Sequence, residues 1–191
     1  MHKGRLEAFS DGVIAILITI MVLELKVPHG DAIDDLLPLW PVVLSYVLSF
    51  IYLGIYWNNH HHLMQASHRV NGPVLWANLH LLFWLSLIPF ATAWMGENHF
   101  AAAPVALYGG VLLAAALGYY LLTVALLQVE GCDSQLARAV GSVVKERVSL
   151  VLYVLALPLA FVNAALACGL YVAVAAMWLI PDRRIERALA P

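Results

Sequence analysis

Charge is scarce in this chain. Asp, Glu, Lys and Arg make up 12% of its 191 residues, half the roughly 25% of an average globular protein. Apolar residues reach 63%, against about 45–50% in soluble chains, which excludes an ordinary soluble domain. Ten basic residues face twelve acidic ones with no basic run among them, so nothing here tracks a phosphate backbone and nucleic acid is excluded as a partner. Cysteine is almost absent: Cys132 and Cys168 stand 36 residues apart, a spacing that makes neither a disulfide framework nor a zinc site. A signal peptide is not expected, because Glu7, Ser10 and Asp11 interrupt the N-terminal segment and no small-residue cleavage site precedes Glu24.

What the chain has instead is long apolar segments. They run at roughly 8–27, 39–58, 74–95 and 104–128, separated by turns rich in Pro, Gly, Asn, Asp or His. A further stretch, Val148 to Ile180, holds no charge. It is too long for one span of about 20 residues and tight for two. Loop signals at Pro158 and Asn163 divide it into two short helices.

The basic residues choose between five spans and six, since Lys and Arg accumulate on the cytoplasmic side. Six spans with the N-terminus inside place Lys3, Arg5, Arg69, Arg138, Lys145, Arg147, Arg183, Arg184 and Arg187 in the cytoplasm and leave only Lys26 outside. The expected fold is therefore an all-α membrane protein, residues 1–191 forming one domain of six transmembrane helices with both termini cytoplasmic. The outer loops carry Asp31, Asp34, Asp35 and Glu97. Either they collect cations or they simply lack positive charge as translocated loops do.

Helix 1 holds the most informative pattern. At 3.6 residues per turn, Gly12, Thr19, Ile20 and Leu23 fall within about 60° of Ile16, while Asp11 lies about 140° away. Asp11 should therefore point into the subunit's own bundle as a brace. The Ile16, Ile20 and Leu23 stripe reads in two ways: apolar rings that gate a pore by excluding water, or an ordinary helix-packing face.

Residues 5–12 spell Arg-Leu-Glu-Ala-Phe-Ser-Asp-Gly, which resembles the Arg-x-x-x-Phe-Ser-Asp-Gly signature of the transmembrane protein 175 potassium channels. The likeness continues in Trp57, His60 and His61, and in Asn78, Leu79, Leu82, Phe83, Ser86, Leu87, Pro89, Phe90 and Thr92. It fades to hydropathy alone in the last three helices. That family contains endolysosomal channels with two six-helix repeats and prokaryotic relatives with one. The resemblance implies a homotetramer whose first helices line a central pore in a prokaryotic cell membrane, with the lipid bilayer, potassium ions and its own copies as partners. It also places the constriction at Ile16, seven residues after Phe9, and a selectivity-linked threonine at Thr19, with Ile20 and Leu23 continuing the path outward.

The expected function is passive potassium permeation, without catalysis, metal or cofactor. No Thr-Val-Gly-Tyr-Gly loop is present, so rings of backbone carbonyls cannot supply selectivity. A proton-permeable channel or proton-coupled cation carrier is the alternative, in which Asp11, Glu24 and the histidines titrate. Thr19 either offers hydroxyl oxygens to a passing ion or bonds back to its own helix. A structural polar network is expected to gather Arg5, Phe9, Ser10 and Asp11 with Trp57, His60, His61 and Asn78 near the cytoplasmic end. His60, His61 and His62 point in three directions, about 100° apart, which disfavours a metal site. His80 reads as a packed core group, Trp40, Trp57, Trp94 and Trp178 as anchors near helix ends, and Gly109, Gly110 and Gly118 as points of close helix contact.

Overall fold

A computed structural model describes residues 3–131, 134, 136–137 and 144–179. Cys132, Arg138 and the arginines beyond residue 180 lie outside the described residues. Among those described, every regular element is helical: α1 (Lys3–Ile20), α2 (Trp40–Gln65), α3 (Gly72–Ser86), α4 (Ile88–Glu97), α5 (Ala102–Glu130), α6 (Val144–Val162) and α7 (Ala164–Leu179). Short 3-10 turns extend α1 over Met21–Glu24 and lead into α2 over Ile33–Leu39.

Among the described residues, four continuous segments are long and apolar enough to cross a bilayer: Lys3–Glu24, Ile33–Gln65, Gly72–Glu97 and Ala102–Glu130. The third contains α3 and α4, parted at Leu87. Pro89 explains the break, since it has no N–H to offer the carbonyl four residues back and restricts the residue before it. Leu87 N–H turns to Trp84 O at 3.2 Å, and the helix restarts with Ala91 N–H on Leu87 O at 3.0 Å. At the other end Asn71 caps α3, its side chain accepting from Val74 N–H.

The long uncharged stretch near the C-terminus divides as expected, but at Asn163 alone. Pro158 sits inside α6. Losing one helical hydrogen bond does not end a helix in the bilayer, where every freed N–H needs a partner. Asn163 supplies one, its Oδ1 accepting from Leu166 N–H at 3.2 Å. Helices α6 and α7 then return on each other as a hairpin, closed far from the turn by Trp178 Nε1 donating to Ser149 Oγ at 2.8 Å.

Helix α5 packs against α3, α4, α6 and α7 and forms the centre of the bundle. Gly118 permits its approach to α3: a Cβ there would lie 3.0 Å from Leu81 Cα. Gly109 likewise makes room for the Tyr171 hydroxyl, whereas Gly110 touches its surroundings only loosely. The core is rich in hydroxyls, and several bond one another or backbone carbonyls. Ser49 Oγ bonds Thr92 Oγ1 at 2.6 Å and Tyr108 OH at 2.9 Å. Tyr52 OH donates to Tyr171 O at 2.6 Å, and Tyr171 OH to Val105 O at 3.1 Å. These bonds tie α2, α4, α5 and α7 together in a setting without competing water.

Candidate functional site

Two faces of α1 divide the labour. Leu6, Ser10, Ile14, Leu17 and Met21 are buried against the bundle. About half a turn away, Ile16 is 57% exposed, Ile20 42% and Leu23 77%, with Phe9, Gly12 and Thr19 on the same side. The apolar stripe read from the sequence is thus unpartnered within the protomer. Thr19 Oγ1 donates to Ile16 O at 2.9 Å, so its hydrogen is spent on its own helix while the oxygen keeps its lone pairs.

Behind the stripe, a buried chain of hydrogen bonds joins three helices. Ser10 Oγ donates to Leu6 O at 2.9 Å and accepts from Asn78 Nδ2 at 2.9 Å. Asn78 Oδ1 pairs with His60 Nε2 at 2.8 Å. An amide oxygen only accepts, so His60 carries its proton on Nε2. Ser10, Asn78 and His60 are all fully buried. A second pair of contacts lies at the edge of the same interface. Trp57 Nε1 donates to Asp11 Oδ1 at 3.1 Å, and His61 Nδ1 lies 3.6 Å from Glu7 Oε1. The Trp57 and His61 rings are stacked, with centroids 6.0 Å apart.

Of the residues expected in the polar network, the structure therefore links Ser10, Asn78 and His60, and separately Asp11 with Trp57. His61 meets Glu7 instead. Arg5 and Phe9 stand on the outward face of α1, exposed, apart from these bonds. Helix α2 runs on to Gln65, past residue 58 where the apolar run ends, which places Trp57 mid-helix as a hydrogen-bond donor to α1 and not as a helix-end anchor. His80 is also corrected: it is exposed on α3 and accepts from Trp84 Nε1 at 3.2 Å one turn on. Its polar ring has a neighbour on its own helix and needs no place in the core.

Sequence reasoning missed three features. Glu7 was an available carboxylate one turn from Asp11, and only its partner on α2 was hidden. Ser45, Ser49, Tyr52 and Tyr56 recur at spacings of 4, 3 and 4 in an apolar helix, a polar stripe that marks the buried face of α2. The third is the ion pair between Lys26 and Glu97, which neutralises part of the negative charge of the loops that hold Asp31, Asp34, Asp35 and Glu97. Glu97 raises the Lys26 pKa through its hydrogen bond and its charge.

Residues 5–89 match the profile of the family described as endosomal/lysosomal potassium channel TMEM175. A protein from Chryseobacterium sp. (strain P1-3) named as a potassium channel is 56% identical over 189 residues, 99% of this chain and 98% of that one. A potassium channel of Streptomyces collinus is 38% identical over 129 residues, covering 62% of this chain and 61% of its own. Among solved structures, the crystal structure of a lysosomal potassium-selective channel TMEM175 homolog from Chamaesiphon minutus superposes with a TM-score of 0.80. It is 31% identical, and the match covers 98% of both chains.

Proposed function

The chain belongs to the TMEM175 family of potassium channels, and from that premise we propose that four copies conduct potassium passively along an axis lined by α1. The chain is a multi-pass membrane protein and a potassium-permeable channel. One protomer offers one lining helix, which cannot enclose a path, so closed rotational symmetry must repeat it. The observation that carries this reading is the outward stripe of Ile16, Ile20 and Leu23 on a helix whose opposite face is locked to the bundle. Large exposed apolar side chains next to a fixed polar seam suit an inter-subunit axis, where rings of branched hydrocarbon gate conduction by dewetting.

Ile16 forms the narrowest ring and acts as the gate, and Thr19 offers oxygen to a partly dehydrated cation one turn outward. With no carbonyl filter, discrimination rests on side chains and is modest. Ser10, Asp11, Trp57, His60 and Asn78 hold the pore helix in place and do not touch the ion.

Potassium flux through purified protein in liposomes tests this. Ile16→Asn keeps the ring wet and should raise leak several-fold over the unmodified chain, with no obligatory proton exchange reported by a pH-sensitive dye. Unchanged flux in Ile16→Asn removes Ile16 from the constriction, and strict one-for-one proton exchange replaces the channel with a carrier.

A further inference from the structure

Two polar side chains face out of the protomer at one membrane depth and on opposite sides. The bond between His60 Nε2 and Asn78 Oδ1 sets α2 level with α3. These helices, joined by the short loop 66–71, run in opposite directions. Asn58, two residues before His60, and His80, two residues after Asn78, therefore each lie about 3 Å outward of that bond at about 1.5 Å per residue. Two positions along a helix also turn a side chain by about 200°. Asn58 and His80 thus point nearly opposite to the residues that join the helices, away from each other, and both are exposed. Helix α1 packs against α2 and against α3, so these are the two flanks of the unit that carries the lining helix.

Neither group is satisfied where it stands. His80 Nε2 accepts from Trp84 Nε1, which puts the ring's own proton on Nδ1, and among the described residues that N–H has no acceptor and the Asn58 amide no partner. The segment Gly72–Glu97, 26 residues and about 39 Å long, exceeds a hydrocarbon core of about 30 Å by a few ångströms at each end. His80 stands about 12 Å in from its first residue, so both groups lie in the hydrocarbon layer, where an unpaired N–H or amide is costly. We propose that Asn58 Oδ1 of one copy accepts from the Nδ1–H of the neighbouring copy's His80, so that the Asn58 face of α2 and the His80 face of α3 form the interface that closes the ring. This interface presupposes the assembly of four copies around α1. Rotation about an axis normal to the bilayer leaves depth unchanged, so donor and acceptor of successive copies meet at one level, and opposite flanks are what a head-to-tail ring joins. Shape agrees one turn outward. Gly54 leaves open space where a side chain would stand, while Phe83, 56% exposed, projects from α3 at a depth within about 2 Å of it. A bulky ring thus meets a gap, the close fit that small residues allow between membrane helices.

Cross-linking of the full-length chain in liposomes at low protein density tests it, on a background carrying Cys132→Ala and Cys168→Ala. Asn58→Cys together with His80→Cys, treated with a short bismaleimide, should give a ladder from dimer to tetramer on denaturing gels. Either substitution alone should stay monomeric there, as should His80→Cys combined with Val151→Cys, which is exposed on α6; equal linking in any of these controls overturns the interface. Gly54→Cys with Phe83→Cys should link like the first pair, and decides the matter should that pair not assemble. The bond itself is read from subunit exchange between differently labelled tetramers. Asn58→Leu and His80→Leu should each speed exchange about threefold, and the double variant no more than either, because both remove one shared interaction; multiplied effects overturn the bond. Light scattering and potassium flux on the same background keep the two readings apart. A conducting tetramer in which neither cysteine pair links overturns this interface and leaves the channel standing, whereas a monomer that passes no potassium overturns both.

Discussion

The Trp57 indole donates to Asp11 Oδ1 at 3.1 Å while its ring lies parallel to that of His61, 20° apart in plane. One α2 side chain thus fixes the signature aspartate of α1 and is itself steadied by the residue that faces Glu7. Asp11 is half-buried at this seam and does not point along the outward stripe. A hydrogen bond to a charged group contributes about 1.5–3 kcal/mol. Asp11→Ala is therefore expected to lower thermal stability and the yield of assembled protein on size-exclusion chromatography, with Asp11→Asn, which keeps an acceptor oxygen, much milder. Normally assembled Asp11→Ala protein whose only change is in ion preference would make Asp11 a pore residue.

Asn78 offers a stricter version of the same argument because its surroundings are dry. It uses both ends of one amide, donating to Ser10 and accepting from His60. Asn78→Leu leaves a buried imidazole N–H without its acceptor and a serine oxygen without its donor, each costing about 1–3 kcal/mol. A marked loss of melting temperature is expected, larger than that of Ser10→Ala, which removes the hydroxyl's two bonds but, outside its own helix, strands only the amide N–H. If the two variants melt alike, the chain from Ser10 to His60 does not act as one unit.

The Arg-x-x-x-Phe-Ser-Asp-Gly segment and the 100° spacing of α1 made the outward stripe and the turn of Asp11 away from it legible before any coordinates. Hydropathy and the break at Asn163 likewise anticipated the helix order. Partners outside the expected polar network were not legible. Glu7 to His61, Lys26 to Glu97 and the Ser49–Thr92–Tyr108 cluster join residues 43 or more positions apart, and a helical wheel carries no information about which helix lies opposite. His80 and Trp57 failed for a related reason. Polarity alone does not say whether a ring in an apolar helix turns to its own next turn, to a neighbouring helix or to the headgroups.

Close approach of α5 to α3 depends on Gly118. A methyl group at that position meets Leu81 Cα at 3.0 Å, with Leu81 N and Cβ at 3.4 Å, and two of these three atoms are backbone. A backbone cannot rotate away as a side-chain tip does, so Gly118→Ala must push the helices apart at the bundle centre, an overpacking cost of about 1–3 kcal/mol. Gly110→Ala, where the nearest foreign atom is a leucine methyl at 4.0 Å, should melt like the unmodified protein. Differential scanning fluorimetry of the two variants in detergent decides it, and equal melting would remove Gly118 as the point that sets α5 against α3.

Thr19 separates two roles for one hydroxyl. Its proton goes to Ile16 O at 2.9 Å, a habit of membrane threonines that by itself needs no ion. The same bond orients the oxygen, whose remaining lone pairs are what a cation requires. Thr19→Val preserves shape and the outward position but deletes the oxygen, and Thr19→Ser restores it without the methyl. If the oxygen contacts the permeating ion, the potassium-to-sodium permeability ratio from reversal potentials in planar bilayers should fall toward unity by about threefold or more in Thr19→Val, roughly 0.7 kcal/mol of discrimination, and recover in Thr19→Ser. If the hydroxyl serves only its helix, both variants keep the original ratio and differ at most in stability. An unchanged ratio in Thr19→Val would move discrimination away from α1's single hydroxyl on the outward face.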